Sequence, residues 1–310
     1  MSKFFASASP HLRSTASTRK IMLDVVIALV PSCIAAVVYF GWRALMLLGV
    51  CVLTCVFTEY ICRIVMKREQ TIGDLSAVVT GVLLALNLPA NLNPLMAVFG
   101  SVAAIVVVKQ MFGGIGMNFV NPALAARIIL TVSFPTAMTT WIPTSLQGVD
   151  AVTSATPLAS ESGAFSYLEL FLGNHGGSMG ETCALAILLG GIYLVLRKVI
   201  VPTIPVVYIG TSAVMALLLG LDPLEQVLSG GIMLGAVFMA TDYTTSPITK
   251  WGKVIYAIGC GVLTMLIRTY ANLPEGVSFS ILIMNILTPL IESATAPRAF
   301  GEKKERQGAK

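Results

Sequence analysis

Ten long apolar segments run through this chain and decide what it can fold into. Most of them approach the roughly 20 residues that an α-helix needs to cross the hydrocarbon core of a membrane. A closed β-barrel would instead show alternating strands of about ten residues, so the segment lengths favour helices. The segments lie at about 21–40, 44–63, 75–90, 95–113, 119–135, 181–200, 203–220, 227–241, 252–270 and 277–296.

The composition excludes most other classes of protein. Apolar residues make up 56% of the 310 residues, charged residues only 11%, and the mean hydropathy is +0.85. A water-soluble fold of this size cannot hide so much apolar side chain. A soluble enzyme, a disordered chain and a nucleic-acid binder are therefore excluded, and the net charge of +5 is better explained by loop charges. We predict an all-α polytopic membrane protein with about ten transmembrane helices.

The six cysteines contain no Cys-x-x-Cys pair, and all of them fall in apolar runs. This placement argues against a disulfide framework. Cys51, Cys55 and Cys62 fit one helix face, where packing of small residues is a better explanation than a metal site. We therefore predict no metal site.

The basic residues predict the orientation, because cytoplasmic loops are enriched in Lys and Arg. With the N-terminus in the cytoplasm, 17 of the 20 Lys and Arg residues lie inside, Lys109 among them as a loop residue. Only Arg43 and Arg268 lie outside, and Arg127 lies within a span. Residues 1–20 have the composition of a targeting peptide, but a full span and many others follow, so we interpret them as a cytoplasmic tail. The C-terminal tail, residues 297–310, is then also cytoplasmic.

The spans divide into two halves, residues 21–135 and 181–296, separated by an extracytoplasmic loop at 136–180. Five spans per half make the second half inverted relative to the first. The third span of each half, at 75–90 and 227–241, is short and is followed by a proline. Short, interrupted segments at matching positions of two halves predict a site near the membrane midplane.

The candidate midplane site contains Asn87, Asn121, Thr241 and Asp242. The two short helices should end within the bundle, at 87–89 and 241–245, and leave carbonyl groups unpaired there unless a ligand, ion or water satisfies them. Because a helix C-terminus carries partial negative charge, a cation or a flavin N–H group would suit this position.

The long loop contains the run Asp150-Ala-Val-Thr-Ser-Ala-Thr156. It resembles the flavinylation signature Asp-x-x-Ser/Thr-Gly/Ser-Ala-Thr, in which a flavin transferase joins FMN through its phosphate to the last Thr. A phosphoester needs a hydroxyl acceptor, which Thr156 supplies. Ser154 and Ala155 are small enough to admit a second protein's active site, and Asp150 is suited to positioning a metal or phosphate. Thr153 completes the match.

Other stretches resemble the D subunit of Rnf electron-transport complexes. They are Ser9-Pro10-His11, Ile21–Val25, Phe119–Ala123 with Arg127, Ser133–Pro135 and Phe238–Asp242 with Thr245–Pro247. The B subunit of sodium-pumping NADH:quinone reductases shares the flavin motif, but it usually has a longer N-terminal extension. Ser154, where Gly is commoner, is still within the accepted pattern.

The resemblance implies a subunit of an ion-translocating oxidoreductase in the bacterial inner membrane. Such a complex couples electron transfer between ferredoxin and NAD to the movement of Na⁺ or H⁺. It implies covalent FMN on Thr156, room for a non-covalent flavin such as riboflavin, and maturation by a flavin transferase. The chain has no iron–sulfur ligand set and no nucleotide fingerprint. Iron–sulfur and NAD chemistry would therefore belong to partner subunits of the complex.

The remaining ionisable residues leave several alternatives open. Arg127 either pairs with Glu59 or faces a flavin or quinone-like ring, and it is a candidate for binding the cofactor. Asp24 and Asp74 lie near cytoplasmic helix ends, and His175 is expected to be solvated. The competing functions are a small-solute permease, a counterpart of the quinone-reductase B subunit, and a scaffold protein without cofactor. A permease would have no use for the motif at 150–156.

Overall fold

The computed structural model describes residues 17–144, 158, 166–271 and 276–297. Within these residues all regular secondary structure is helical. The α-helices are α1 (Thr18–Phe40), α2 (Trp42–Val65), α3 (Ser76–Leu86), α4 (Pro94–Ala103), α5 (Pro122–Ser133), α6 (Pro135–Thr139), α7 (Tyr167–Leu172), α8 (Ala184–Leu196), α9 (Thr203–Leu218), α10 (Pro223–Leu228), α11 (Ile232–Leu234), α12 (Lys250–Tyr270) and α13 (Gly276–Thr295).

Each of the ten predicted segments contains a helix, and the prediction of an all-α polytopic membrane protein is confirmed. Among the described residues, α1, α2, α12 and α13 are long and apolar enough to cross a membrane. The other segments form shorter apolar helices. An eleven-residue helix such as α3 spans only about 16 Å at 1.5 Å per residue, so it ends inside a bilayer-sized bundle.

Two of the short helices continue in π-helical geometry. The first continuation, Ala104–Gln110, extends α4, and the second, Gly235–Met239, extends α11. A π-helical turn shifts the side chains that follow it relative to an α-helix and is common at functional sites. In this fold the first turn brings Lys109 and Gln110 to Glu59, and the second ends just before Asp242.

The segment predicted as one short span at 227–241 is interrupted. Helix α10 ends at Leu228, and α11 begins at Ile232. Gly230 lies between them with φ of +66°, a left-handed conformation that other residues rarely adopt. The break explains why the apolar pattern runs through 227–241 although a single helix does not.

The helices pack in a similar way within each half. Helix α2 packs against α3 and α4, and α9 packs against α12. Between the halves, α1 packs against α8 and α5 against α13. The first helices of the two halves thus contact each other, and so do the fifth helices. This is the pairing expected of two related halves. The inverted relation and the exact domain bounds, 21–135 and 181–296, stay a prediction.

One ion pair and the direction of one long helix define the two ends of the bundle. Near the start of α1, Asp24 pairs with Arg197, which follows α8, with 3.2 Å between the guanidinium and carboxylate. We name this the Asp24 end. Helix α12 runs to the opposite end, where Arg268 lies in its last turn, and we name this the Arg268 end.

Candidate functional site

A cleft opens between the two halves at the Asp24 end. It encloses about 760 Å³ of space including its mouth. Its walls come from α1, α3, α8 and the segments that follow the two π-helical turns. The polar side chains on the wall are Ser76, Thr80, Lys109, Asn118, Asn121, Thr241, Asp242, Tyr243 and Thr244. Three of the four predicted midplane residues therefore line one cleft, while Asn87 does not.

Local turns hold the polar wall of the cleft in place. The Asp242 carboxylate accepts hydrogen bonds from the backbone N–H of Thr244 at 3.2 Å and from its hydroxyl at 3.0 Å. Thr244 also accepts from the Asn118 amide at 3.2 Å. Asn121 caps α5 by accepting from the backbone N–H of Ala123 at 3.0 Å. These bonds fix the acidic and amide groups before any ligand arrives.

Lys109, which lines the cleft, belongs to a buried ion pair. The Lys109 ammonium lies 2.8 Å from a Glu59 carboxylate oxygen, with the two side chains 3% and 0% exposed. Lys109 also donates to the Ser76 hydroxyl at 2.6 Å. Ser76 donates in turn to Asp74, which also accepts from the Ser76 backbone N–H at 2.8 Å.

Further hydrogen bonds reach the same Glu59 carboxylate. Its other oxygen accepts from the Gln110 amide and from the Thr71 hydroxyl, each at 3.0 Å. The ammonium partner and these two further donors offset the cost of burying the Glu59 carboxylate. The placement of Lys109 in an inner loop is therefore wrong, because the π-helical turn at the end of α4 turns the residue into the bundle.

Arg127 forms a second buried polar cluster deeper in the bundle. Its guanidinium donates to Glu181 at 2.6 Å and to Asn87 at 2.5 Å, and it is 2% exposed. A longer bond of 3.4 Å reaches Ser178. Pairing with Glu59 is therefore wrong, since Glu59 lies with Lys109 instead. The alternative of Arg127 facing a cofactor ring stays a prediction.

The segment 173–183 enters the bundle from the Arg268 end and carries two partners of Arg127, Ser178 and Glu181. Its backbone N–H groups at Met179 and Gly180 donate to the carbonyls of Leu88 and Leu86, at 3.1 and 2.7 Å. These carbonyls lie at the end of α3 and just beyond it. Within 87–89, the carbonyl of Leu88 was expected to need a ligand, ion or water, and this is wrong because a backbone N–H from a segment distant in sequence donates to it.

His175 belongs to the same inserted segment and is 1% exposed. The expectation of a solvated side chain is therefore wrong. A loop rich in small polar residues suggested solvent, but this part of it packs against the end of α3. Glu181 was also missed, although a carboxylate at the very start of an apolar segment is a recognised signal for a functional or paired residue.

The flavinylation motif lies outside the described residues. Asp150, Thr153, Ser154, Ala155 and Thr156 all fall in this part of the chain. The nearest described residue is Leu158, two positions after Thr156. A Cβ added to Gly230 would lie 2.9 Å from Leu158 Cδ1, so Leu158 packs beside the break between α10 and α11. Leu158 therefore lies at the Arg268 end.

Interrupted helices around a polar cleft, together with buried ion pairs, define the class of this protein. It is a polytopic α-helical membrane protein built around discontinuous helices, an arrangement that creates a site inside the bundle. No group of three or more metal-binding side chains exists among the described residues. The cysteines Cys51, Cys55 and Cys62 are free thiols on α2.

Comparison with known proteins identifies the family. The model of the NQR2, RnfD, RnfE family matches residues 5–301, and the chain belongs to this family. One relative is the D subunit of the Na⁺-translocating ferredoxin:NAD⁺ oxidoreductase complex of Acetobacterium woodii. The two chains are 51% identical, over 98% of this chain and 97% of that protein.

Two further relatives cover nearly the whole chain. One is the D subunit of the proton-translocating ferredoxin:NAD⁺ oxidoreductase complex of Clostridium ljungdahlii, 42% identical over 97% of each chain. The other is the D subunit of the ion-translocating oxidoreductase complex of Stutzerimonas stutzeri, 38% identical over 92% of each chain.

Proposed function

We propose that this chain is the D subunit of an Rnf-type complex that couples electron transfer between ferredoxin and NAD⁺ to ion movement. The observation that carries the proposal is the similarity to D subunits of ion-translocating oxidoreductase complexes, over at least 92% of this chain in each case. The chain acts with other subunits, because it has no iron–sulfur ligand set of its own. The relative whose name specifies Na⁺ is 51% identical to this chain, and the relative whose name specifies protons is 42% identical. The proposal therefore covers both ions.

The second part of the proposal is covalent FMN on Thr156. It rests on the motif at 150–156, and the position of Leu158 supports it. Leu158 lies at the Arg268 end, where a flavin transferase and partner subunits can approach from outside the bundle. Bound FMN would supply a centre that exchanges one or two electrons, which suits a step between iron–sulfur and nicotinamide chemistry. The chain's part is to hold the attachment loop at that end.

A Thr156→Ala variant tests the attachment. We expect the protein to insert and assemble but to lose flavin fluorescence in its band on a denaturing gel. Ferredoxin-to-NAD⁺ electron transfer should fall in parallel. Ser162→Ala, a second hydroxyl residue of the same loop, is the matched control and should keep its fluorescence. Fluorescence that persists in Thr156→Ala would place the flavin elsewhere, and full activity without it would refute its role.

The cleft at the Asp24 end is the proposed site for the moving cation or for a non-covalent flavin. Its wall combines the Asp242 carboxylate with the amides of Asn118 and Asn121. These groups suit either a hydrated cation or the polar edge of a flavin ring. We expect Asp242→Asn to lower coupled turnover while the fluorescent band stays intact. Turnover equal to wild type would refute the site.

The proposed orientation places both termini and the Asp24 end in the cytoplasm of a bacterial inner-membrane protein. The flavin loop then lies outside. Single cysteines at Ser2 and Ser162, in a cysteine-free background, test this in intact cells. An impermeant thiol reagent should label the Ser162→Cys variant, and labelling of the Ser2→Cys variant alone would reverse the orientation.

A further inference from the structure

Arg63 is a buried arginine whose charge has no partner among the described residues. Helix α2 returns to the Asp24 end, and Arg63 lies in its last turn and is 7% exposed. Within the part of the chain that the structure describes, no carboxylate lies within 4 Å of the guanidinium, and Nε is enclosed without an acceptor. Glu59, one turn earlier on α2, pairs with Lys109 instead. Because an unpaired buried charge is costly, the position favours an anion that the described residues do not supply.

A glycine-rich loop lies against the Arg63 guanidinium. Gly114 has φ of +106°, and a Cβ added to it would collide with Arg63 Nη2. A larger residue there would therefore displace the guanidinium as well as strain the backbone. A second guanidinium, that of Arg68, reaches the start of the same loop, where Nη1 lies 3.5 Å from the Gln110 carbonyl oxygen. Two basic side chains from the end of α2 thus meet one loop.

Exposed apolar side chains surround this basic position. Four of them, on α2 and in the loop, are at least half exposed: Ile64, Val65, Phe112 and Met117. Leu53 and Phe57 continue the exposed apolar stripe along α2, at the four-residue spacing that places side chains on one helix face. Just beyond the helix, Lys67 and Arg68 are exposed. Basic residues at the end of a spanning helix, beside apolar side chains that face lipid, favour an anionic phospholipid over a soluble anion.

We propose that Arg63 binds the phosphate of an anionic phospholipid whose acyl chains lie along the exposed apolar stripe of α2. Arginine is suited to this role because its planar fork matches phosphate geometry with two hydrogen bonds. The site is separate from the cleft, but the same loop carries Ile115, which lines the cleft. The bound lipid neutralises the buried charge and holds this part of the cleft wall. The proposal does not depend on the flavin or on the ion that is moved.

Thermal unfolding of the purified full chain tests the site. The protein is held in phosphatidylcholine–detergent micelles and titrated with phosphatidylglycerol, and the rise in melting temperature gives an apparent Kd. We expect Arg63→Gln to bind phosphatidylglycerol about tenfold more weakly than wild type, the factor expected from one charged hydrogen bond. Arg43→Gln, which changes an exposed arginine near the start of α2, should bind like wild type. An unchanged Kd in Arg63→Gln would overturn the proposal.

The same titration separates lipid binding from a structural role of the arginine. In phosphatidylcholine alone, Arg63→Gln should be at least as stable as wild type, because it removes an unpaired buried charge. Wild type should become the more stable of the two only when phosphatidylglycerol is added. A loss of stability in Arg63→Gln that is equally large in both lipids would show a structural role and overturn the proposal.

Two glycine variants test the site without changing its charge. Gly114→Ala places a methyl group against Arg63 Nη2 and should weaken phosphatidylglycerol binding. Gly116→Ala is the matched control, because Gly116 also has a positive φ, of +84°, but nothing lies within 4 Å of its added Cβ. Both variants strain the backbone, so both should lose stability. Equal Kd values for phosphatidylglycerol in the two variants would contradict the site.

Other sources of the anion give different results. Glycerol phosphate, a soluble compound with the same phosphate group, should not stabilise wild type at concentrations where phosphatidylglycerol does. Equal stabilisation by both would assign the site to a soluble phosphate compound and overturn the lipid proposal. Native mass spectrometry of the intact complex then counts bound phosphatidylglycerol, and the Arg63→Gln complex should retain less than wild type. Equal retention would leave Arg63 to an acidic group of a partner subunit and would also overturn the proposal.

Discussion

Removal of the Glu181 carboxylate should destabilise the protein strongly, and the geometry around Arg127 sets the size of the effect. The two charged side chains are 2% and 4% exposed and lie 2.6 Å apart. In Glu181→Ala, the guanidinium keeps its hydrogen bonds to Asn87 and Ser178 but loses the carboxylate of this ion pair. Removing one member of a buried pair typically costs about 3–5 kcal/mol. The loss of one hydrogen bond to a charged group alone would cost about 1.5–3 kcal/mol.

A second variant separates a buried charge from a general loss of packing. Replacing both members, Arg127→Met with Glu181→Leu, removes the charges together and should be less destabilised than Glu181→Ala alone. The free energy of unfolding is measured by titrating the purified protein with SDS in mixed micelles. Glu69→Ala, which changes an exposed carboxylate, is the control and should stay within about 0.5 kcal/mol of wild type. A Glu181→Ala variant as stable as the control, or a double variant less stable than the single one, would refute this reasoning.

Two further predictions concern packing and pH. Gly180→Ala should destabilise the protein by about 1–3 kcal/mol, because its Cβ would lie 2.6 Å from Leu86 Cβ. Gly49→Ala in α2, where nothing lies within 4 Å, should stabilise it by about 0.5–1 kcal/mol, and thermal unfolding compares the two. A hydrogen bond from the Tyr167 hydroxyl lowers the pKa of the Asp222 carboxyl. A lowered carboxyl pKa stabilises the folded state above the unfolded value of about 3.9, and this is lost as pH falls through the folded pKa. Tyr167→Phe should therefore speed hydrogen exchange in α7 at neutral pH, and an equal difference at pH 2 would contradict the reasoning.

The membrane class and the helix positions follow from local properties of the chain. Length and continuity of apolar runs determine whether a segment can cross a bilayer, and both are properties of the sequence alone. The same holds for the proposed flavinylation motif, because a run of consecutive residues can be compared with a signature without knowledge of the fold. The break at Gly230 was harder to predict from the sequence, because apolar residues continue on both sides of it and only the backbone conformation reveals it.

Pairing of buried charges was decided by tertiary structure. Sequence reasoning marked Glu59 and Arg127 as unusual, because ionisable residues inside apolar segments need partners. It could not choose those partners, since Lys109 lies 50 positions from Glu59, and Glu181 lies 54 positions from Arg127. Composition also suggested that the polar loop around His175 was solvated, whereas its backbone amides pair with carbonyls at and just beyond the end of α3.

By itself, then, the sequence determined the class of protein and the positions of its helices, and it supplied the motif at 150–156 as a hypothesis, because bilayer thickness and local chain chemistry act on consecutive residues. Only the tertiary structure decided which charges neutralise each other and which groups line the cleft. The physical reason is that burying an unpaired charge or carbonyl costs free energy. A suitable partner can offset this cost from any position in the sequence. The fold chooses among those partners by bringing two halves of the chain together around α1, α5, α8 and α13.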